Sequence, residues 1–520
     1  MGSKLVRGSF IIFLGNIIFR VGGYIYRFLM ATLLGPTLYG ILGITLPFQG
    51  IFQTLAAGGL PPAIAKYVAE HEALNEHDMA RQTIYTSLKI MVFLGVFLGL
   101  FMIFICAPWL AYNYLGKPET LIPLQIVGLI TPFSVIVGAF RGAFQGVYKM
   151  EYILYTRAVE QFSMIFFAVT FILIGLSVVG ALFGTVLGFA LAALSSVIIF
   201  KFCMAKYIPE PTGEFKFPLK MELGLAAKLL KFAFPVIVTA IAEMLIYNVC
   251  TLVMGRYLTS TDVGYFAAVD PIARLPLMIS ISLSTTLLPA ASEAFATRDK
   301  DTLQHYISQS YRYGLLFVVP MCVGVACFTF PILRIFYFTN AAYTNGALAL
   351  SILAIGMTFY SIFAISTSIV QGIGNPRIPM YVLIFGVIIT IPLNVFMVPV
   401  YGIAGGALAT TIACFAMMVP TVYLGFKKTN TRPPSVSVAK ILLASAVMAV
   451  ICLFIPKTIP GFVAALIIAP VTYLVVLVLV KFFTREDLDN FRSYANKFGP
   501  LSGLCNKLIN GIEKIEFKNQ

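Results

Sequence analysis

About fourteen apolar segments, each long enough to cross a bilayer, divide this chain of 520 residues. A membrane-spanning helix needs roughly 20 predominantly apolar residues. The segments cover residues 9–31, 40–65, 84–110, 121–147, 152–175, 178–203, 230–255, 264–289, 310–333, 346–371, 378–399, 402–426, 437–456 and 460–482. Only 11% of the side chains are charged and 59% are hydrophobic. The chain is therefore predicted to be an integral membrane protein with an all-α fold.

Positive charges are distributed unequally between the two sides of these segments. Of the 36 Lys and Arg residues, 29 lie in the N-terminal segment, the even-numbered connections and the C-terminal tail. Four lie on the opposite side, namely Lys117, Arg256, Arg334 and Lys457. The other three, Arg20, Arg27 and Arg274, lie inside apolar segments. The positive-inside rule then predicts a multi-pass protein of the cell membrane with both termini in the cytoplasm. Topology and contact with anionic lipid explain the net charge of +15, so no nucleic-acid partner is expected.

An internal repeat relates the two halves of the chain. Four motifs recur in corresponding segments at offsets between 222 and 227 residues. The pairs are Gly40-x6-Pro47 with Gly264-x6-Pro271, Thr131 with Thr358, Gln145-Gly146 with Gln371-Gly372, and Gly180-x3-Gly184 with Gly402-x3-Gly406. Because the offset corresponds to six helices, both repeats have the same orientation in the membrane. A pseudo-twofold axis along the membrane normal is therefore expected.

The repeat predicts the domain organisation. Residues 1–208 form an N-terminal lobe of six helices, 209–229 a cytoplasmic linker and 230–428 a C-terminal lobe of six helices. Two more helices cover 437–482, and residues 484–520 form an amphipathic cytoplasmic tail. Transporters with parallel repeats bind substrate between their lobes. The predicted fold is a two-lobed transporter with two additional C-terminal helices.

Charged residues inside the apolar segments indicate where function is located, because each costs at least about 2.5 kcal/mol at the bilayer centre. Arg20 lies near the middle of the first segment, Arg27 follows two helical turns later on the same face, and Asn16 extends that polar stripe. Arg274 lies in the eighth segment, one turn after Asp270. Pro271 and Pro276 beside this pair predict a kink in the helix. Guanidinium groups suit bidentate recognition of phosphate, so these residues predict a cationic cavity that binds substrate. Alternatively, Asp270 neutralises Arg274 at i,i+4 and Arg27 extends to the membrane interface.

Three acids inside the segments are candidate sites for a coupling ion, either Na⁺ or H⁺. Glu243 lies near the middle of the seventh segment, where it is equally suited to be the counter-ion of Arg20. Asp270 lies in the eighth segment. Glu160 follows Arg157 at i+3 in the fifth segment, which favours a local ion pair.

Two amides complete the set of candidate binding residues. Gln49 and Gln53 share one face of the second segment. Their amide groups suit sugar hydroxyls, although hydrogen bonds between helices are the commoner role of such residues.

Enzyme motifs are absent from the sequence. The three His residues lie in predicted cytoplasmic loops, and no P-loop, Gly-x-Ser-x-Gly motif or Cys/His spacing typical of metal sites occurs. We therefore predict a secondary transporter without enzyme activity, without a metal and without a cofactor beyond a coupling ion.

Several motifs resemble one transporter family over almost the whole chain. They are Phe19-Arg20-Val21-Gly22, Leu34-Gly35-Pro36-x2-Tyr39-Gly40, Gly58-Gly59-Leu60-Pro61, Arg141-Gly142-x2-Gln145-Gly146 and the run from Tyr401 to Thr410. Their order and spacing resemble the polysaccharide-exporter branch of the multidrug/oligosaccharidyl-lipid/polysaccharide (MOP) superfamily. Within that branch the chain resembles the stage V sporulation protein B-like flippases and the O-antigen flippases, and it resembles the lipid II flippases more distantly.

This resemblance implies a V-shaped flippase that moves an isoprenoid-diphosphate-linked saccharide to the outer leaflet. It also implies that Arg20, Arg27 and Arg274 match cavity arginines that bind the diphosphate in lipid II flippases. The arginine of the second helix has no counterpart, since Gln53 lies near that position. The last two helices correspond to a groove for the lipid tail.

A second candidate function is an ion-coupled multidrug exporter of the same superfamily. Such exporters usually have twelve helices and use acidic residues for cationic drugs, whereas this chain has Arg20 in mid-segment and two further helices. A membrane polymerase or ligase would need a large outer loop with catalytic residues, and no such loop is present. The expected partners are the lipid-linked saccharide and membrane lipids, and the protein is expected to act as a monomer.

Overall fold

A computed structural model describes residues 2–204 and 218–485, together with residues 487–489, 492, 503, 510 and 513, and it describes side chains from residue 21 onward. Sixteen α-helices and no β-strand occur in this part of the chain. In chain order they are α1 Gly2–Ala57, α2 Leu60–Ala73, α3 His77–Phe101, α4 Ala107–Trp109, α5 Leu121–Gly146, α6 Met150–Leu173, α7 Ser177–Cys203, α8 Leu219–Tyr257, α9 Ser260–Ala273, α10 Leu277–Ala296, α11 Lys300–Cys327, α12 Thr329–Phe336, α13 Ala347–Gly372, α14 Arg377–Thr429, α15 Ser435–Phe454 and α16 Ile459–Leu479. The all-α prediction is confirmed.

Twelve helical stretches in the described residues are long and apolar enough to cross a membrane. Two of them, Val21–Ala73 and Arg377–Thr429, have 53 residues each, or about 80 Å of helix against a bilayer core of about 30 Å. Within each stretch one long helix is interrupted by a glycine with positive φ, Gly35 at 71° in α1 and Gly402 at 59° in α14. The first stretch has two more such glycines, Gly58 and Gly59, between α1 and α2. An L-residue in that conformation costs roughly 1–2 kcal/mol, so glycine permits the break. The exact count of fourteen crossings stays a prediction, which these two breaks favour.

The chain packs into two compact units. The first contains residues 1–271, 337–346 and 387–409, and the second contains 272–336, 347–386 and 410–520. The middle of α14 therefore belongs to the first unit, and both of its ends belong to the second. The boundaries predicted from the sequence repeat divide the chain differently and stay predictions.

In the first unit, α2, α3, α5 and α8 surround a continuous apolar core. Ile64, Ile84 and Phe144 are fully buried there, and Leu229 of α8 closes the same cluster. Small residues allow the helices to approach closely, because a Cβ on Gly99 would contact the backbone of α5 at 2.6 Å.

The repeat motif forms a helix crossing inside the first unit. The hydroxyl oxygens of Thr37 in α1 and Thr261 in α9 lie 2.8 Å apart. One turn later, a Cβ on either Gly40 or Gly264 would overlap a backbone carbonyl of the other helix. A Cβ on either glycine would also lie close to the backbone nitrogen of the other glycine. Thr37 with Thr261 and Gly40 with Gly264 are thus two contacting pairs separated by 224 residues, the offset of the sequence repeat. Equivalent residues of the two repeats therefore meet across a local twofold axis, as expected for an isologous contact.

In the second unit, α11 packs against α13 and α15. The Tyr311 hydroxyl lies 2.6 Å from that of Ser366, and the Tyr473 hydroxyl of α16 donates to the Leu316 carbonyl at 2.9 Å. These contacts satisfy buried polar atoms in an otherwise apolar bundle.

The start of the C-terminal tail is fixed to α11. Asp487 is almost fully buried and accepts hydrogen bonds from Arg312 at 2.5 Å and Tyr313 at 2.7 Å. Burial raises the pKa of Asp487, but bonds from Thr484, Tyr313 and Arg312 outweigh it, so the pKa lies below its usual value. Most of the remaining tail, predicted to be amphipathic, lies outside the described residues, as does 205–217 of the predicted linker.

Candidate functional site

The first unit brings one predicted arginine and one predicted acid together. Arg27 lies on α1 and Asp270 near the end of α9, with a guanidinium nitrogen and a carboxylate oxygen 3.9 Å apart. The Arg27 side chain is 46% exposed, whereas Asp270 is 19% exposed. This distance is at the limit of an ion pair, and much of the guanidinium group is accessible to another anion. Arg27 therefore combines a fixed position with free hydrogen-bonding capacity.

Buried tyrosines fix the helix around Arg27. The Tyr26 hydroxyl donates to the Ala181 carbonyl of α7 at 3.4 Å, and that of Tyr39 donates to the Ala267 carbonyl of α9 at 3.5 Å. The hydroxyl of Tyr343 donates to the Ala31 carbonyl at 2.7 Å. The backbone that carries Arg27 is thus held from three directions.

The segment Tyr337–Gly346 completes this part of the first unit. The Tyr337 ring stacks on Phe28 with centroids 5.0 Å apart, and its hydroxyl donates to the Ala268 carbonyl at 2.9 Å. Sequence reasoning missed these aromatic contacts, because the segment is distant in sequence from both α1 and α9.

Arg274 does not continue α9. That helix ends at Ala273, and residues 274–276 form a turn before α10. Where Pro271 and Pro276 predict a kink, the structure thus has a break between two helices, with Pro276 at the N-cap of α10. The pair between Asp270 and Arg274 stays a prediction. Arg274 belongs to the second unit and has electrostatic contact with Cys414 there. Its predicted role in substrate binding stays a prediction.

Two predicted amides have unsatisfied polar atoms. Gln49 Oε1 and Gln53 Nε2 are buried and have no hydrogen-bond partner among the described residues. Gln161 Nε2 on α6 is also buried without a hydrogen-bond partner among the described residues, and the Gln161 side chain lies next to Gly22 of α1. Buried polar atoms without partners are rare and costly, so they mark positions where water or a ligand completes the bonds. Gln161 was not among the predicted binding residues, although an amide inside an apolar segment is a signal for a buried polar site.

Glu243 is an exposed carboxylate on a membrane helix. Within the described part of the chain, it forms no ion pair or hydrogen bond. Its neighbour Met244 contacts Gly50 and Thr54 of α1, on the stretch that carries Gln53. The side chains of Asn16 and Arg20 lie outside the described residues, so a pair between Glu243 and Arg20 stays a prediction.

Glu160 is buried in an ion pair with a residue of another helix. Arg141 of α5 donates to its Oε2 at 2.7 Å and to the Thr156 hydroxyl at 3.0 Å. Arg157 contributes a second positive charge nearby. This environment favours a structural role for Glu160, and the predicted role in ion coupling stays a prediction.

Replacing Glu160 by glutamine is expected to destabilise the protein by about 3–5 kcal/mol, because Arg141 would then be a buried charge without its partner. The measurement is thermal unfolding of the purified protein in detergent. Glu151→Gln is the matched control, since Glu151 and Lys149 form a longer and more exposed pair at 3.8 Å. Equal stability of both variants, with transport lost only in Glu160→Gln, would contradict the structural role and favour ion coupling.

Two positive charges, Lys117 and Arg256, cap helix ends. Lys117 donates to the carbonyls of Gly255 and Leu258 at the end of α8, and Arg256 donates to the Tyr114 carbonyl at 2.6 Å. Burial lowers the pKa of Lys117, although nearby acids oppose this effect. These side chains satisfy carbonyls that a helix end leaves unpaired.

Comparison with known proteins identifies the family. The model of the polysaccharide biosynthesis protein family matches residues 5–295, and the MatE model matches residues 235–396. An uncharacterised membrane protein of Methanocaldococcus jannaschii is 28% identical over 81% of this chain and 97% of its own. The lipid II flippase MurJ of Bacillus subtilis is 24% identical over 81% of this chain and 82% of its own. Stage V sporulation protein B of the same organism is 25% identical over 88% of this chain and 90% of its own.

Solved structures show the same fold. The inward closed conformation of lipid II flippase MurJ matches with a TM-score of 0.72 at 19% identity, covering 91% of this chain and 98% of that one. An inward-facing MATE family transporter of the MOP superfamily matches with a TM-score of 0.68 at 14% identity, covering 79% and 94%. These matches confirm the predicted resemblance and the prediction of a multi-pass transporter that is not an enzyme. The chain therefore belongs to the polysaccharide biosynthesis protein family and has the fold of the MOP superfamily.

Proposed function

We propose that this protein is a flippase for an isoprenoid-diphosphate-linked oligosaccharide, a precursor of a cell-wall or surface polysaccharide. It moves the lipid across the cytoplasmic membrane by alternating access, as a monomer with both termini in the cytoplasm. The observation that carries the proposal is the half-exposed guanidinium group of Arg27, kept inside a membrane helix and only loosely paired with Asp270. Two relatives that match over 81% and 92% of this chain are named lipid II flippase and probable lipid II flippase.

The diphosphate is the part of the substrate that Arg27 recognises. A guanidinium group donates two parallel hydrogen bonds to phosphate oxygens, and it does so more strongly away from bulk water. We assign Arg20 and Arg274 to the same role as matches to family positions. Asp270 keeps Arg27 oriented in the absence of substrate and releases it when the diphosphate, with its higher charge, arrives.

The saccharide is recognised by amides. The unpaired polar atoms of Gln49 and Gln53 support this assignment, because sugar hydroxyls both donate and accept hydrogen bonds. A substrate that completes these bonds removes a desolvation cost of about 1–3 kcal/mol per atom. Asn16 extends the polar surface along the first helix.

The isoprenoid tail fits an apolar groove inside the second unit. The groove has a volume of about 630 Å³ and is formed by α11, α15 and α16. Its lining on α16 extends from Phe462 to Leu474, about 18 Å of helix, and reaches Phe483 beyond the helix end. This length supports a site for a long hydrocarbon chain, as the family resemblance implies for the last two helices.

A proteoliposome assay tests the function. A fluorescent isoprenoid-diphosphate saccharide is incorporated, and a membrane-impermeant quencher reports how fast it exchanges between leaflets. We expect the wild type to exchange the lipid between leaflets and the Arg27→Ala variant to lose this exchange. Absence of exchange with several glycans would contradict the proposal.

The second candidate is a multidrug exporter, which the match to the MatE model and the exposed carboxylate of Glu243 favour. Efflux of a cationic dye by the same proteoliposomes would support it. If the wild type exports the dye, Glu243→Gln abolishes this efflux and no lipid exchange occurs, the multidrug exporter is the correct function and the flippase proposal is wrong.

Glu243→Gln is expected to remove the dependence of transport on a proton or Na⁺ gradient, because the amide cannot bind either ion as a carboxylate does. Initial rates are compared with and without each gradient. Glu222→Gln on the same helix is the matched control, since Glu222 pairs with Lys89 at 2.7 Å. If the Glu243 variant responds to both gradients as the wild type does, Glu243 is not the coupling site.

A further inference from the structure

A second apolar groove lies between the two ends of α14, on either side of the break at Gly402. Its volume is about 650 Å³. The side chains that line it include Tyr381, Val382, Phe385, Val419, Tyr423 and Leu424, all in the second unit. Along α14 the lining covers 378–385 and 416–424, about 10–12 Å of helix in each case. This length corresponds to most of one leaflet, whose hydrocarbon layer is about 15 Å thick.

Three basic side chains lie one helical turn beyond the residues that line this groove. Arg377 lies one helical turn before Tyr381, and Lys427 and Lys428 lie one turn after Tyr423 and Leu424. All three are exposed, and the Lys427 ammonium group is 5.6 Å from the centre of the Tyr423 ring. The groove therefore has an apolar body, aromatic side chains that are amphipathic, and a positively charged end.

The protein supplies no acidic partner for these charges nearby in sequence. No Asp or Glu occurs between Asp301 and Glu486, whereas ten Lys and Arg residues do. In the described part of the chain, none of the three basic side chains at the groove forms an ion pair. Clustered positive charges next to a membrane helix attract anionic lipid, at about 1 kcal/mol for each Lys or Arg.

We infer that one anionic glycerophospholipid of the leaflet facing the cytoplasm occupies this groove. Arg377, Lys427 and Lys428 bind its phosphate, and one acyl chain lies against Tyr381, Val419 and Tyr423. The groove is too short for the tail of the transported substrate, which has the longer groove along α16. The site is separate from the transport cycle proposed above and binds a lipid that is not transported.

Native mass spectrometry of the full chain in detergent tests the site. The probes are dioleoyl phosphatidylglycerol and dioleoyl phosphatidylcholine, which share acyl chains and differ in head-group charge. The wild type is expected to bind the anionic lipid at least about tenfold more tightly. The triple variant Arg377→Gln, Lys427→Gln and Lys428→Gln is expected to lose this preference. Val419→Trp, which fills the groove and keeps the charges, is expected to weaken binding of the anionic lipid.

Lys300→Gln is the matched control, since Lys300 is exposed at the start of α11 and outside the groove; it should bind as the wild type does. Equal affinity for both lipids, or unchanged preference in the triple variant, would overturn the inference. Full binding by Val419→Trp would overturn the placement of the acyl chain.

Displacement of the anionic lipid by an equimolar isoprenyl phosphate would assign the groove to the substrate instead. Size-exclusion chromatography confirms that each variant is folded.

Discussion

Replacing Arg27 by alanine is expected to lower flipping of a diphosphate-linked saccharide roughly hundredfold, because two charge-assisted hydrogen bonds to the diphosphate are lost. Arg27→Lys should retain part of the activity, since it keeps the charge and loses the bidentate geometry. The measurement is the rate of leaflet exchange in proteoliposomes. Binding of the substrate to purified protein should weaken in parallel.

The control for this prediction is the partner of Arg27. If Arg27 binds substrate, Asp270→Asn should leave flipping largely intact, because the arginine becomes more available. If Arg27 only holds α1 against α9, the two single variants should be equally harmful. In that case the double variant Arg27→Gln and Asp270→Asn should recover activity, a result that would contradict substrate binding.

A disulfide across the crossing of α1 and α9 is expected to abolish transport reversibly. The Thr37 and Thr261 hydroxyls are 2.8 Å apart, so cysteines at both positions should form a disulfide on oxidation. Alternating access requires helices at one side of the membrane to separate, and a covalent bond at this contact prevents that movement. The eight native cysteines are replaced first, and transport is measured before oxidation, after oxidation and after reduction.

Each single cysteine variant serves as the control, because oxidation should not change its rate. An oxidised double variant that transports at the rate of the reduced protein would show that this crossing stays closed throughout the cycle.

Much of the fold follows from the sequence because the membrane restricts it strongly. Backbone groups in hydrocarbon must be satisfied within each helix, so apolar length alone predicts the helices. The repeat also predicted which residues are equivalent, and Thr37 with Thr261 shows that two equivalent positions meet. Pro271 and Pro276 predicted a kink around Arg274, and the structure has a turn of residues 274–276 there, between α9 and α10.

The ionic contacts were harder to predict, because they depend on which helices are neighbours. Sequence spacing favoured a pair between Glu160 and Arg157, whereas the short contact to Arg141 comes from a different helix. Asp270 lies four residues before Arg274, yet it also lies 3.9 Å from Arg27, more than 240 residues away in sequence. Local spacing identifies candidate partners, and the packing of helices decides between them.

The reciprocal caps of Lys117 and Arg256 have a consequence for the order in which the chain assembles during synthesis. The stretch that ends at Tyr114 is synthesised before α8, so the Tyr114 carbonyl has no partner on α8 at that stage. Only when α8 has inserted can Arg256 reach that carbonyl and Lys117 reach the end of α8. The first half of the chain thus lacks a partner for this helix end until the second half has inserted, and α8 finds the side chain that caps its own end already in place.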